Sequence, residues 1–212
     1  MRTSILLYVF LTSLLLTTTQ CKKDTIDQLS LLPAVTTTGA NTFGCLANGI
    51  AMLPKSEISH PSLTNPYAQT VPALYPAYYG DYKTNIGFFT GRSDGPILFM
   101  EFDIYDSSLI RPNTYYWQQV DWGTGAIGVL DPVYFGGIYG EFINPRTNQY
   151  EWFGTFNNSG TTMITKFDSI NHIISGIFSG KLVQRFGSGD TISITSGRFD
   201  INWATVANKQ FQ

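Results

Sequence analysis

The sequence predicts an all-β fold, an antiparallel β-sandwich of about eight to ten strands with a β-barrel as the alternative, in a single domain. Three observations predict it. Apolar and polar residues alternate with period two in segment after segment from Thr42 to Trp203, and clusters of Gly, Pro, Asn and Asp separate the segments. No helical period of any length follows the first 20 residues. The composition is that of a secreted β protein, with 15% aromatic residues, 20 glycines and only 13% charged residues.

The first element, Thr42 to Lys55, is the clearest hairpin. Asn48-Gly49 suits a two-residue type I′ turn, in which both positions need positive φ. That turn sets Ala47 opposite Ile50, Cys45 opposite Met52 and Phe43 opposite Pro54, all on one apolar face. Residues 56–80 carry Pro61, Pro66, Pro72 and Pro76 and are expected to form a loop or an irregular edge. Pro96–Asp106 alternates cleanly, with Leu98, Met100, Phe102 and Ile104 on one face and Glu101, Asp103 and Tyr105 on the other. A turn at Arg111-Pro112-Asn113 leads to a strand over Thr114–Val120. Strands over 133–143 and 149–156 flank the turn Asn144–Asn148, and strands over 161–167 and 172–182 flank Asp168–Asn171. In the last strand, Thr191–Trp203, Ile192 and Ile194 are even-numbered whereas Phe199, Ile201 and Trp203 are odd. One extra residue at Ser196-Gly197, a β-bulge, would put all five on the same face.

The N-terminus reads as an export signal. Arg2 precedes an apolar run from Ile5 to Leu16, broken only by Thr12 and Ser13. The run is too short to span a bilayer, which takes about 20 apolar residues. We expect residues 1–20 to be a lipoprotein signal peptide, residues 21–41 a lipidated Cys21 with its tether, and residues 42–212 the β domain. Gln20 is larger than the small residue usually found before a lipidated cysteine. The rival for Cys21 is a disulfide to Cys45, which the hairpin opposes by placing Cys45 in the core beside Met52. With a formal net charge of −2 and no basic block, nucleic acid is not an expected partner.

Cys21-Lys22-Lys23-Asp24 is similar to the start of mature lipoproteins of Bacteroidota. The segments LLPAVTTTGANTFGCLANG (31–49), TKFDSINHIISGIFSGKL (165–182) and DTISITSGRFDI (190–201) resemble the two ends of a Bacteroidota lipoprotein family catalogued as a domain of unknown function. The resemblance implies an exported, lipid-anchored outer-membrane protein, exposed at the cell surface, with a β architecture. It brings no catalytic residues with it. Asp24-Thr25-Ile26, Asp168-Ser169-Ile170 and Asp190-Thr191-Ile192 also resemble Asp-Ser/Thr-apolar glycosylation sites of that group, although the last two make ordinary turns.

Motifs with a chemical look mostly dissolve in context. Gly91-Arg92-Ser93-Asp94-Gly95 has nucleophile-elbow spacing, but a strand rather than a helix follows, so it reads as a hairpin turn. Gly123-Thr124-Gly125-Ala126-Ile127-Gly128 lacks the βαβ frame of a dinucleotide site. His60 and His172 belong to no His/Cys cluster, so no zinc and no other cofactor is expected. Glu101 and Asp103, alternate residues of one strand and roughly 7 Å apart by strand rise, could act as paired carboxylates or as oxygen ligands for calcium. A solvated outward face is the simpler expectation. The aromatic residues between 75 and 122 are the remaining signal: Tyr78, Tyr79, Tyr116, Trp117 and Trp122 are the candidate ligand contacts, and the run Tyr115-Tyr116-Trp117 must expose at least one ring. The expected function is that of a monomeric, non-enzymatic module binding a glycan or an envelope protein. An envelope hydrolase using Glu101 and Asp103, or a purely structural lipoprotein, is the alternative.

Overall fold

The computed structural model describes residues 26–54, 75–77, 85–91, 97–106, 110–120, 134–186, 189–206 and 209, of which 75–77, 85–91, 97–99, 105–106 and 134–135 are described by their backbone. The fold is all-β and antiparallel, as the alternation predicts. The eleven strands among the described residues are β1 (Thr42–Ala47), β2 (Ile50–Met52), β3 (Tyr75–Ala77), β4 (Asn85–Gly91), β5 (Ile97–Asp106), β6 (Thr114–Tyr116), β7 (Tyr134–Ile143), β8 (Tyr150–Gly154), β9 (Gly160–Asp168), β10 (Ile173–Gln184) and β11 (Thr191–Asn202). They join in one open sheet ordered β2-β1-β11-β10-β8-β7-β5-β4-β3, with β9 and then β6 branching from β10. The branch arises because β10 is long. Its first part, Ile173–Gly180, pairs with β9, and Val183 and Gln184 pair with β8. The sheet thereby folds over on itself as a sandwich: the Phe102 ring on β5 meets Phe43 of β1, Phe178 of β10 and Phe199 of β11.

The first hairpin forms as its sequence requires. Asn48 and Gly49 have φ of 48° and 81°, and Cys45 pairs with Met52 and Ala47 with Ile50. Phe43, Cys45, Ala47 and Met52 are buried, but Ile50 is 49% exposed, because the hairpin tip projects past the core. Cys45 is a free thiol in the apolar interior, and burial pushes its pKa up to about 12. The predicted bulge is present. Phe178 faces Gly197 while Gly180 faces Ile194, so β11 carries one extra residue, and Ser196 takes φ of 53°. Ile192, Ile194, Phe199 and Ile201 all enter the core as a result. Trp203 packs against it, stacked on Phe167.

One strand, β4, was not expected, and part of the irregular edge expected within residues 56–80 is present. Strand β4, with Gly at 87 and 91, is too short and too glycine-rich to announce itself. The 56–80 stretch contributes an edge strand, β3, with Pro76 in it. Pro can occupy an edge because one side of such a strand has no ladder to donate to. Residues 55–74, 92–96 and 121–133, and with them the two glycine motifs apart from Gly91, lie outside the described residues.

The stretch expected to be a tether is bonded to the domain from Gln28 onward. A 3-10 turn over Gln28–Leu31 is capped by Asp27, whose side chain accepts from Leu29 N, and Gln28 Oε1 accepts from Ala51 N. Leu32 is buried, whereas Leu29 and Leu31 stay exposed. The Thr-rich run after Pro33 wraps around Asp200, an outward-facing residue of β11 that is nonetheless only 1% exposed. Its carboxylate accepts from Thr36 Oγ1 (2.6 Å), Thr38 N (2.9 Å), Gly39 N (2.8 Å), Ala40 N (3.1 Å) and Ser175 Oγ (2.7 Å). Burial alone would raise this carboxyl, but hydrogen bonds from Thr36, Ser175, Ala40 and Gly39 outweigh it and bring the pKa down to about 2.

Candidate functional site

Alternation settles the aromatic run. Tyr115 and Trp117 are fully buried and Tyr116 is 51% exposed. Trp117 is therefore withdrawn as a ligand contact. Its ring fills a slot between two strands that is open only because both carry glycine there: a Cβ at Gly160 would lie 2.3 Å from Trp117 Cε3, and one at Gly180 2.4 Å from Cζ3. The indole Nε1 donates to Thr162 Oγ1 at 2.9 Å, so the one polar atom of the ring is satisfied inside the core. Tyr78, Tyr79 and Trp122 lie outside the described residues, as does Cys21.

An open cleft of about 340 Å³ lies on the outer face of β9, β10 and β11, and Tyr116, which does not line it, pairs on β6 with its lining residue Thr161. Cross-strand register builds this surface as two rows, since directly opposed residues share a face. One row is Tyr116, Thr161 and Ser179; the other is Met163, Ile177 and Arg198. Val35, held by the segment that Asp200 clamps, closes one side, and Arg198 Nη1 donates to Pro33 O at 3.0 Å beside it. Met163, Ile177 and Val35 are all exposed. The cleft thus combines apolar side chains, three hydroxyl residues (Thr161, Ser179 and Ser196) and a guanidinium, with the Tyr116 phenol beside it in register.

The carboxylate pair lies on the opposite outer face. Met100, Phe102 and Ile104 point into the core, so Glu101 and Asp103 point away from it, as the alternation predicts. The solvated face expected for them is not what forms. Glu101 is 3% exposed and accepts a hydrogen bond from Tyr139 Oη, and Asp103 Oδ1 is sealed from solvent with no hydrogen-bond partner among the described residues. Tyr139 sits directly across from Glu101 on β7 and stacks on Trp152 of β8, with ring centroids 6.2 Å apart. Burial, together with the nearby Asp103 charge, raises the Glu101 carboxyl well above the ordinary range, and the Tyr139 hydrogen bond only partly offsets this. Burial raises Asp103 as well. Sequence spacing found the pair; Tyr139 was missed, because its place beside Glu101 depends on the β5–β7 register.

His172 is exposed at φ of 60° and meets the edge of Trp203, a turn residue with no catalytic neighbour among the described residues. Among those residues no group of three or more His, Cys, Asp or Glu gathers to hold a metal, and no helix is long and apolar enough to cross a membrane. The fold and its two outer faces define an antiparallel β-sandwich with an open amphipathic cleft on one side and a buried acidic pair on the other. No protein-family model, curated protein or solved structure matches the chain.

Proposed function

We propose that the protein is a lipid-anchored envelope lipoprotein of the Bacteroidota type whose β domain binds a glycan without transforming it. The observation that carries the binding role is the open cleft on β9, β10 and β11, with the exposed Tyr116 in register beside it. A sugar ring has apolar C–H faces and a hydroxyl periphery; the aliphatic floor of the cleft and the adjoining Tyr116 ring suit the first, and Thr161, Ser179 and Arg198 the second. The anchor on Cys21 and an outer-membrane, surface-exposed location are supported by the short apolar signal core, the Lys22-Lys23-Asp24 context and a Cys45 that burial withholds from any disulfide. Binding of an envelope protein at the same cleft is the alternative ligand. The hydrolase reading is weaker: a polysaccharide cannot reach a carboxyl that is 3% exposed.

Glycan-array binding by the protein without residues 1–20 tests the role. Retained sugars whose binding is lost in Tyr116→Ala support it, and an array on which nothing binds contradicts it. The anchor is tested by metabolic labelling with a radioactive fatty acid, which Cys21→Ser should abolish. Protease shaving of intact cells tests the surface location, since digestion of an epitope-tagged domain requires it to face outward.

A further inference from the structure

Glu101 and Asp103 take no part in the cleft, and their surroundings fit neither a solvated surface nor a satisfied polar core. Two carboxyl groups share one face of β5, Glu101 is closed to solvent, and Asp103 Oδ1 accepts no hydrogen bond from the described residues. A buried acceptor without a donor is costly, and a second carboxyl beside it makes matters worse rather than better. Across the ladder Asp103 faces two glycines, Gly87 on β4 and Gly137 on β7, so neither opposed residue brings a side chain against it. Glu101 is flanked instead by Phe89 and Tyr139. The groups shown close to one another there, two carboxylates and one phenol, are oxygen donors of the kind a hard cation takes.

We propose that Glu101, Asp103 and Tyr139 Oη form a binding site for a divalent cation of the calcium class. Calcium takes six to eight oxygens, and two carboxylates with a phenol leave the remaining positions to water or main-chain carbonyls. No third acidic side chain joins the pair among the described residues, so the affinity belongs with weak extracellular sites, about 0.1 to 1 mM. An ion can enter where a polymer cannot. It supplies both the missing partner for Asp103 Oδ1 and the positive charge that lets two adjacent carboxylates ionise.

The test is a calcium titration of the metal-free full-length protein, read as thermal stabilisation and as displacement of terbium whose luminescence Tyr139 and Trp152 sensitise. Saturable binding is expected with a midpoint of about 0.1 to 1 mM near pH 8. Glu101→Gln and Asp103→Asn, which mimic the neutral side chains and should fold as the protein does, each weaken it at least about tenfold. Glu141→Gln leaves it unchanged. No saturation by about 10 mM near pH 8, or binding unaltered by Glu101→Gln and Asp103→Asn, would overturn the proposal.

Discussion

Replacing Asp200 should loosen the whole N-terminal wrap while leaving the sandwich folded. In Asp200→Ala the backbone N–H groups of Thr38, Gly39 and Ala40 and the hydroxyls of Thr36 and Ser175 lose their common acceptor. Each buried donor left unpaired costs about 1–3 kcal/mol. The costs do not simply add, because residues 33–40 can lift away and let water serve those donors. A loss of about 3–5 kcal/mol is therefore the sensible range, which for a domain of this size is roughly 10 °C in Tm. Asp200→Asn keeps one acceptor oxygen and should lose about half as much. The same carboxylate sets an acid limb. Its folded pKa of about 2 lies below the ordinary unfolded value of about 3.9. Its stabilisation is thus fully present above about pH 4 and disappears as pH falls through about 2, a loss of about 2.5 kcal/mol. Thermal melts of the three proteins between about pH 2 and pH 7 read both effects. Melting of Asp200→Ala within about 2 °C of the parent, with the acid limb unchanged, would refute the clamp.

Further outcomes follow from the same geometry. Gly180→Ala places a Cβ 2.4 Å from Trp117 Cζ3 and 2.5 Å from Gly160 Cα; overpacking of this kind should cost about 3 kcal/mol and blunt the near-ultraviolet circular dichroism of Trp117. The Cys45 thiol, fully buried with its pKa near 12, should resist a thiol reagent at pH 8 until the protein is unfolded, and prompt modification of the native protein would contradict its burial. Without calcium, raised carboxyl pKa values mean that stability falls as pH climbs through the folded values of Glu101 and Asp103. Glu101→Gln removes part of that loss, so it should melt above the parent at alkaline pH and not at pH 5; a parent at least as stable as the variant at high pH would show that the pair is not buried as described.

The fold was legible where local rules and tertiary packing agree. Asn48-Gly49 dictated its turn, and the parity change between Ile194 and Phe199 located the bulge at Ser196, because a strand cannot switch faces without an extra residue. Strand β4 was not legible, since Gly87 and Gly91 erase the alternation that Ile86 and Phe88 would otherwise show. The acidic pair was legible as a spacing but not as an environment. A period-two pattern states which face Glu101 takes, and what covers that face is decided by strands far away in sequence. The Asp200 clamp illustrates the same limit. Phe199-Asp200-Ile201 reads as an outward acid between core residues, and only the fold brings the N–H groups of Thr38, Gly39 and Ala40, about 160 positions away, onto it. Trp117 shows the converse, a residue whose chemistry suggested a sugar platform and whose place over Gly160 and Gly180 makes it core.

The measurement closest to the central claim is glycan-array binding compared across the parent, Tyr116→Ala and Glu101→Gln. A cleft whose sugar stacks on the adjoining Tyr116 predicts a defined set of bound glycans, lost by about tenfold or more in Tyr116→Ala and unchanged in Glu101→Gln. Binding that survives loss of the Tyr116 ring, or no binding by the parent at all, would contradict it.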